Sequence, residues 1–394
     1  MGRLKKLPEL DAEKAKAELS RRRFYRFLLE FWDVIVPDKF VDNWHIEYLC
    51  EELQKVAQLV FERKAKAHDL IINIPPGTSK STICTVMFPV WCWTIDPAIR
   101  VITGSYSADL STAHSVKSRD IIRSDKFRRW YSDLALKADM DNKTNYQNNH
   151  GGERIATSVG GTITGKHAHI IIVDDPLNAE QAASIADREK ANRWMTQTLS
   201  TRKVDKEMTP TILVMQRLHV DDCTGHMLAR KPEGIKHICL PGELANNVRP
   251  VELANRYEKG LLDPKRLSSA VLAEQKKDLG SYGYAGQIGQ TPVPEGGIIW
   301  QKWFVPVPDK VFPSPEDMKG YGSDWDTAYM KDQKNDASAF CTSGEIDGKI
   351  YIDKVGWGKM EFPQLIRYMT LRPSPHYIEA KASGKSAKQT LKQT

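Results

Sequence analysis

Residues 69–82 read DLIINIPPGTSKST: a short run rich in β-branched residues, a Pro-Pro-Gly turn, then Ser79-Lys80-Ser81-Thr82 opening a helical stretch. A buried strand that passes directly through a tight turn into a helix points to an α/β fold. The alternation repeats downstream. Residues 100–103 read as a strand, 108–124 as an amphipathic helix, 170–173 as a very apolar strand, 182–199 as a helix and 210–215 as another strand. Strands that alternate with helices imply a mostly parallel sheet covered on both faces. This pattern occupies residues 41–245, a fair length for one domain.

In the common phosphate loop GxxxxGK[ST], backbone amides cradle phosphates while the lysine and the hydroxyl meet phosphate and magnesium. Lys80 and Ser81 hold the last two positions here, Ile74 and Ser79 stand where glycines are usual, and Gly77 supplies freedom in the middle. Pro76, Gly77, Thr78, Ser79, Lys80, Ser81 and Thr82 are therefore the candidate ATP cradle. Lys80 would neutralise β/γ-phosphate charge and Ser81 would coordinate Mg²⁺. Taken alone, the same residues also read as a Pro-Gly turn ahead of a Lys-Ser pair.

The run HIIIVDDP adds a strand that ends in two carboxylates. Asp174 suits a magnesium ligand, and Asp175 suits the general base that positions or deprotonates an attacking water. A third strand, TILVMQRLH, ends in Gln216-Arg217. A polar side chain at Gln216 is placed to sense the γ-phosphate and link hydrolysis to motion, whereas Arg217 alternatively pairs with a nearby carboxylate. His219, Asp221, Asp222, Cys223 and His226 match no common zinc spacing and read as a loop that starts a helix.

Around this core, residues 1–40 form an N-terminal helical segment, with helical spacing over 9–30 and a break at Pro37. A second helix starts near residue 42, with Asp42 or Asn43 as N-cap. Residues 246–310, punctuated by proline and glycine, read as a connecting subdomain of short helical pieces. Residues 311–394 return to strands, and Asp347-Gly348 between two of them is a hairpin signal. The chain of 394 residues is 41% hydrophobic and 27% charged, within the range of globular domains. No apolar run approaches the roughly 20 residues of a membrane span. The charged N-terminus lacks the apolar stretch of a secretory signal, so a soluble, cytoplasmic protein is expected. Six cysteines without paired spacing suggest neither a disulfide framework nor a zinc knuckle. The net charge of +7, with clusters at residues 21–23 and 126–129, permits phosphate contacts but reads equally as solvated helix faces.

The runs INIPPGTSKST, VITGSYSADLSTAHSVKSRDIIRSD, SVGGTITGKHAHIIIVDDP, MQRLHVDDCTGHML and LGSYGYAGQIGQTPVPEGGIIW, in this order, resemble the large terminase subunit of tailed bacteriophages. The resemblance covers nearly the whole chain from about Trp44 onward. It implies a P-loop ATPase that drives double-stranded DNA into a capsid, followed by a connecting subdomain and a ribonuclease H-like nuclease domain. Carried over residue by residue, Lys80 and Ser81 match the family's phosphate loop, Asp174 and Asp175 its magnesium strand, and Gln216-Arg217 its coupling motif. Trp44 lies where the family often contacts adenine, although core packing explains a tryptophan there equally well. Arg119 stands in a plausible helix for the arginine that offsets transition-state charge, with Arg123 and Arg100 competing.

For the nuclease, the resemblance assigns Asp324 and Glu379 as Mg²⁺ or Mn²⁺ ligands. Asp326 assists from the same strand face, and Asp336 sits at a familiar position. Nothing acidic follows Glu379. An incomplete nuclease is therefore expected, with weak or absent cleavage by this chain alone. The implied partners are double-stranded DNA, the portal protein, the small terminase subunit and further copies of the chain in a ring on the portal. No membrane is involved. The implied location is the bacterial host cytoplasm, with transient attachment to the procapsid. Two other readings remain open. One is a helicase-like DNA translocase, against which residues 250–394 offer no second phosphate loop. The other is a truncated, non-catalytic prophage remnant.

Overall fold

The computed structural model describes residues 12–230, 232–293, 304–327, 338–378 and 382–391. The chain separates into two compact units, Met1–Ile298 and Ile299–Thr394.

The first unit is built on one eight-stranded sheet. Its strands are β1 (Asp69–Asn73), β2 (Arg100–Ser105), β3 (Leu136–Asp141), β4 (Asn145–Asn148), β5 (Glu153–Ser158), β6 (Ile170–Asp174), β7 (Thr211–Met215) and β8 (Ile235–Cys239), in the order β3-β4-β5-β2-β6-β7-β1-β8. All pairs from β5 to β8 are parallel, and β3 and β4 extend one edge as antiparallel strands. The expected α/β architecture with a mostly parallel sheet is thus present. Every residue of β1 and β6 is buried, as a strand covered on both faces requires. Leu70 and Ile72 point into one hydrophobic cluster with Phe24, Phe31, Leu49 and Trp91. Ile71 points into the other, with Ile102, Ile171, Val173 and Trp194.

Several local expectations need correction. The helical stretch expected over 9–30 is two helices, Ala12–Arg22 and Phe24–Ile35, because Arg23 adopts extended angles of φ −131° and ψ 116°. The Gln54 side chain bridges that break, accepting from the Phe24 N–H and donating to the Arg22 carbonyl. The stretch expected over 182–199 is likewise divided into Ala179–Ala183 and Ile185–Arg193, followed by π and 3₁₀ turns to Arg202. The short pieces expected after residue 245 include a 19-residue helix, Ser269–Gln287, kinked at Gly280 with φ 64°. Asn43 is confirmed as the N-cap of Trp44–Phe61, its side chain accepting from the Trp44 N–H. Helix formation after the phosphate loop begins with a π-wound turn, Thr82–Met87, and continues as Phe88–Ile95.

The second unit holds β9 (Lys319–Asp326), β10 (Ser338–Ile346), β11 (Lys349–Gly358) and β12 (His376–Ile378) in the order β11-β10-β9-β12. The first three form an antiparallel meander, and β12 joins β9 in parallel. Asp347 and Gly348 turn the expected hairpin with φ values of 49° and 74°, the positive pair that a type I′ turn demands. Trp325, Phe340, Leu365, Ile366 and Met369 pack the sheet against the helix Phe362–Thr370. All six cysteines are free. Among the described residues, no helix is long and apolar enough to cross a membrane.

Candidate active site

The loop that follows β1 carries two residues in left-handed backbone, Gly77 with φ 77° and Ser79 with φ 65°. Glycine adopts that region freely, and a serine there stores about 1–3 kcal/mol of strain, which suits a functional turn. The loop is braced from within and from below. The Thr78 hydroxyl donates to the Pro75 carbonyl at 2.7 Å, and the Ser79 carbonyl accepts from the Ile83 N–H at 3.0 Å. From the helix Trp44–Phe61, His45 Nε2 donates to the Thr78 carbonyl at 3.2 Å. Burial pushes the His45 pKa down to about 4, so the ring is neutral and Nε2 carries its proton. The neighbouring Trp44 is partly buried and packs 5.9 Å from the Tyr257 ring, with the Arg256 guanidinium over its face.

Parallel pairing aligns the C-terminal ends of β6, β7 and β1, with β7 in between. This brings the expected residues together. Lys80 Nζ lies 3.1 Å from Asp175 Oδ2, and the Ser81 hydroxyl donates to Asp174 Oδ1 at 3.1 Å. Lys80 is 6% exposed and Asp174 has no exposure at all. Asp175 adopts a positive φ of 44°, and its Oδ1 accepts from the Gln216 N–H at 3.2 Å. Burial raises the pKa of both carboxyls. Lys80 opposes that rise at each of them, and the Ser81 hydroxyl opposes it at Asp174. A buried lysine facing two carboxylates is a charge arrangement in waiting, since removing either sign leaves the other uncompensated.

Several polar atoms near this pair have no hydrogen-bond partner among the described residues. They include Asp174 Oδ2, His114 Nδ1, Thr85 Oγ1, Arg154 Nε and Gln216 Oε1. Buried polar groups are almost always satisfied, so an unpartnered oxygen on buried Asp174, beside Ser81, fits a site that takes a ligand. The residues present fit a magnesium–nucleotide complex: a strained loop of backbone amides, a buried lysine, a serine hydroxyl on a carboxylate, and a carboxylate oxygen left over.

Other expected residues are placed elsewhere. Arg217 is held by Asp222, with Nε 2.9 Å from Oδ2, while Asp222 also accepts from the N–H groups of Leu218, His219 and Gly225. This turn accounts for the acidic and histidine cluster that follows. Arg119 Nη1 lies 3.4 Å from Asp141 Oδ1, and Arg123 pairs with the same carboxylate, so neither is brought to Lys80 in this structure. The basic clusters are largely engaged locally. Arg22 pairs with Glu18, Arg23 with Glu47, Lys126 with Glu30 and Arg129 with Glu13.

His114 escaped the sequence reading. It lies on the helix Ala108–Arg123, whose inner face is polar: Ser111, His114, Ser115 and Ser118 are all buried. Buried polar residues at helical spacing were the available signal, hidden because apolar spacing was the pattern sought.

In the second unit, Asp324 and Asp326 are exposed on β9, at an open depression of about 520 Å³ that Trp325, Phe340, Cys341, Tyr377 and Ile378 also line. Asp324 pairs in register with Cys341 and Tyr377. Glu379 and Asp336 lie outside the described residues. Among the described residues, no group of three or more acidic, histidine or cysteine side chains forms a metal cluster.

No protein-family model matches this chain, and no curated protein matches it. Solved structures do. The large terminase of bacteriophage HK97 is similar at 14% identity and a TM-score of 0.43, over 84% of this chain and 67% of that one. The large terminase of a thermophilic bacteriophage is similar at 11% identity and a TM-score of 0.31, over 86% and 80%. The large terminase ATPase domain of a Thermus phage, in a mutant form, is similar at 12% identity and a TM-score of 0.39, over 67% and 98%.

Proposed function

We propose that this chain is an ATP-hydrolysing motor subunit that moves double-stranded DNA into a capsid, as the large terminase subunits do. The observation that carries the ATPase part is the pairing at the sheet end of buried Lys80 with half-buried Asp175 and of half-buried Ser81 with buried Asp174. In this reading residues 41–245 are the motor domain, 246–310 the connecting subdomain and 311–394 the nuclease domain. The DNA-packaging part is supported by the five ordered motifs of the sequence. Portal protein, small terminase subunit and a ring of copies are its proposed partners.

When bound, Mg²⁺ and ATP supply an electrophilic γ-phosphorus and a counter-charge for its oxygens. The chain's own residues do the rest. Amides of the loop at Gly77, Thr78 and Ser79 would cradle phosphate oxygens, and Lys80, now paired with Asp175, would neutralise phosphate charge. Ser81 and Asp174 would hold the metal. Asp175 would take the proton of the attacking water. Gln216, whose N–H already reads Asp175 Oδ1 and whose amide oxygen is unpartnered, is the group placed to register that change. Asp324, Asp326 and Glu379 would hold Mg²⁺ or Mn²⁺ in a ribonuclease H-like nuclease.

The test is ATP hydrolysis by the purified chain with and without linear double-stranded DNA. Turnover that rises with DNA, and loses that rise at high salt as phosphate contacts are screened, is the expected result. Hydrolysis indifferent to DNA would contradict the motor.

A further inference from the structure

We propose that His114 is a positioning residue for the magnesium site: it holds the second oxygen of Asp174, so that the first stays directed at Ser81. The inference rests on the ATP-binding reading above and assigns a role to a residue outside the phosphate loop and the acidic strand end.

Asp174 is fully buried, and its two oxygens have unequal surroundings. Oδ1 accepts from the Ser81 hydroxyl at 3.1 Å, whereas Oδ2 has no hydrogen-bond partner. The nitrogen in an ion-pair relation to Oδ2 is His114 Nδ1, at 3.6 Å, and that nitrogen is unpartnered too. Two buried orphans facing each other just beyond bonding distance need a shift of well under 1 Å to satisfy both. A carboxylate held at one oxygen only can swing about its Cβ–Cγ bond. A donor on the second oxygen removes that freedom, which is how groups around a metal ligand tune metal affinity.

The placement is anchored by the fold. His114 is fixed on the inner face of Ala108–Arg123 between buried Ser111 and Ser118, whose hydroxyls bond the Thr157 and Val86 carbonyls. Arg154 stands nearby, donating to the Thr85 carbonyl at 2.8 Å. An imidazole N–H on His114 is the donor that Asp174 Oδ2 would accept from. Arg119, five residues on, points roughly 140° away around the same helix and pairs with Asp141 instead.

The test compares His114→Phe, which keeps a ring and removes the donor, with His114→Asn, whose amide nitrogen falls near the position of Nδ1. The readout is equilibrium binding of a fluorescent ADP to the full chain, titrated with Mn²⁺ and separately with Mg²⁺, alongside binding in EDTA. His114→Phe should raise the half-saturating metal concentration about tenfold or more, with metal-free ADP binding unchanged, and His114→Asn should restore it to within about threefold. Equal metal titrations for wild type and His114→Phe would overturn the proposal, as would a His114→Asn no better than His114→Phe. Should His114→Phe not fold, His114→Gln takes its place, because its longer amide mimics Nε2 rather than Nδ1. If the wild type binds no ADP at all, the ATP-binding reading fails, an outcome distinct from equal titrations.

Discussion

Asp174, at the end of β6, has no solvent exposure and faces a lysine that is 6% exposed, whereas Asp324 and Asp326, on β9, stand in an open depression. Both are acidic strand residues, and their surroundings set opposite conditions. A buried carboxylate must have its charge answered on the spot, so the first unit supplies Lys80, Ser81 and the Gln216 N–H within hydrogen-bonding or ion-pairing distance of the pair. Exposed carboxylates are solvated by water and need no such company, so the second unit imposes little on its neighbours. Preorganisation therefore belongs to the first site.

That contrast can be broken in several ways. The largest effect is expected for Asp175→Asn, which leaves Lys80 without its counter-charge and removes the proposed base. ATP turnover should fall by about 10²–10⁴-fold while ADP binding persists, as measured by phosphate release and fluorescent-ADP titration. In the second unit, Asp324→Ala should remove any Mn²⁺-dependent nicking of plasmid that the purified chain shows.

The next effect is on acid stability. Burial is the main cause that lowers His45, His169 and His237 to about 4, from an ordinary value of 6.5. Below pH 6.5 the unfolded chain takes up protons that these folded rings refuse. The first unit should therefore lose stability progressively as pH falls from 6.5 towards 4 and gain nothing from them above pH 7. Melting curves between pH 7 and pH 4.5 check the direction, and an unchanged or rising Tm on acidification would contradict it.

Smaller effects should separate the two sheets by packing. At Gly104, on β2, an added Cβ would stand 2.4 Å from the Trp194 ring, so Gly104→Ala should cost about 1–3 kcal/mol in denaturant unfolding. Trp357, on edge strand β11, is 82% exposed, and Trp357→Ser should change stability by less than about 0.5 kcal/mol. Equal costs at both positions would show that the second sheet is covered as tightly as the first.

The same contrast explains what could be read in advance. β1, β6 and β7 were legible because a strand buried on both faces must be a continuous apolar run, and each ends in the residues that make the site. β3, β4 and β5 were not, since LKADMD, NYQN and ERIATS lack such a run. β8 was missed for a similar reason, with Lys236 and His237 interrupting IKHIC. The long helix Ser269–Gln287 lies between the prolines and glycines that mark short pieces, and its kink at Gly280 breaks the single long apolar spacing. His114 shows only as one of several polar residues on the inner face of its helix, and its neighbour Asp174 is remote in sequence. The carboxylates of β9 were found by alternation and by resemblance, which place side chains on a face without saying what gathers there.

The most direct measurement is Mg²⁺-dependent ATP hydrolysis by wild type and Lys80→Ala, prepared in parallel and matched by circular dichroism. Hydrolysis by the wild type, lower by about 10²–10³-fold or more in Lys80→Ala, is the predicted result. Equal hydrolysis by the two proteins, or a wild type that neither binds nor hydrolyses ATP, would contradict the central claim.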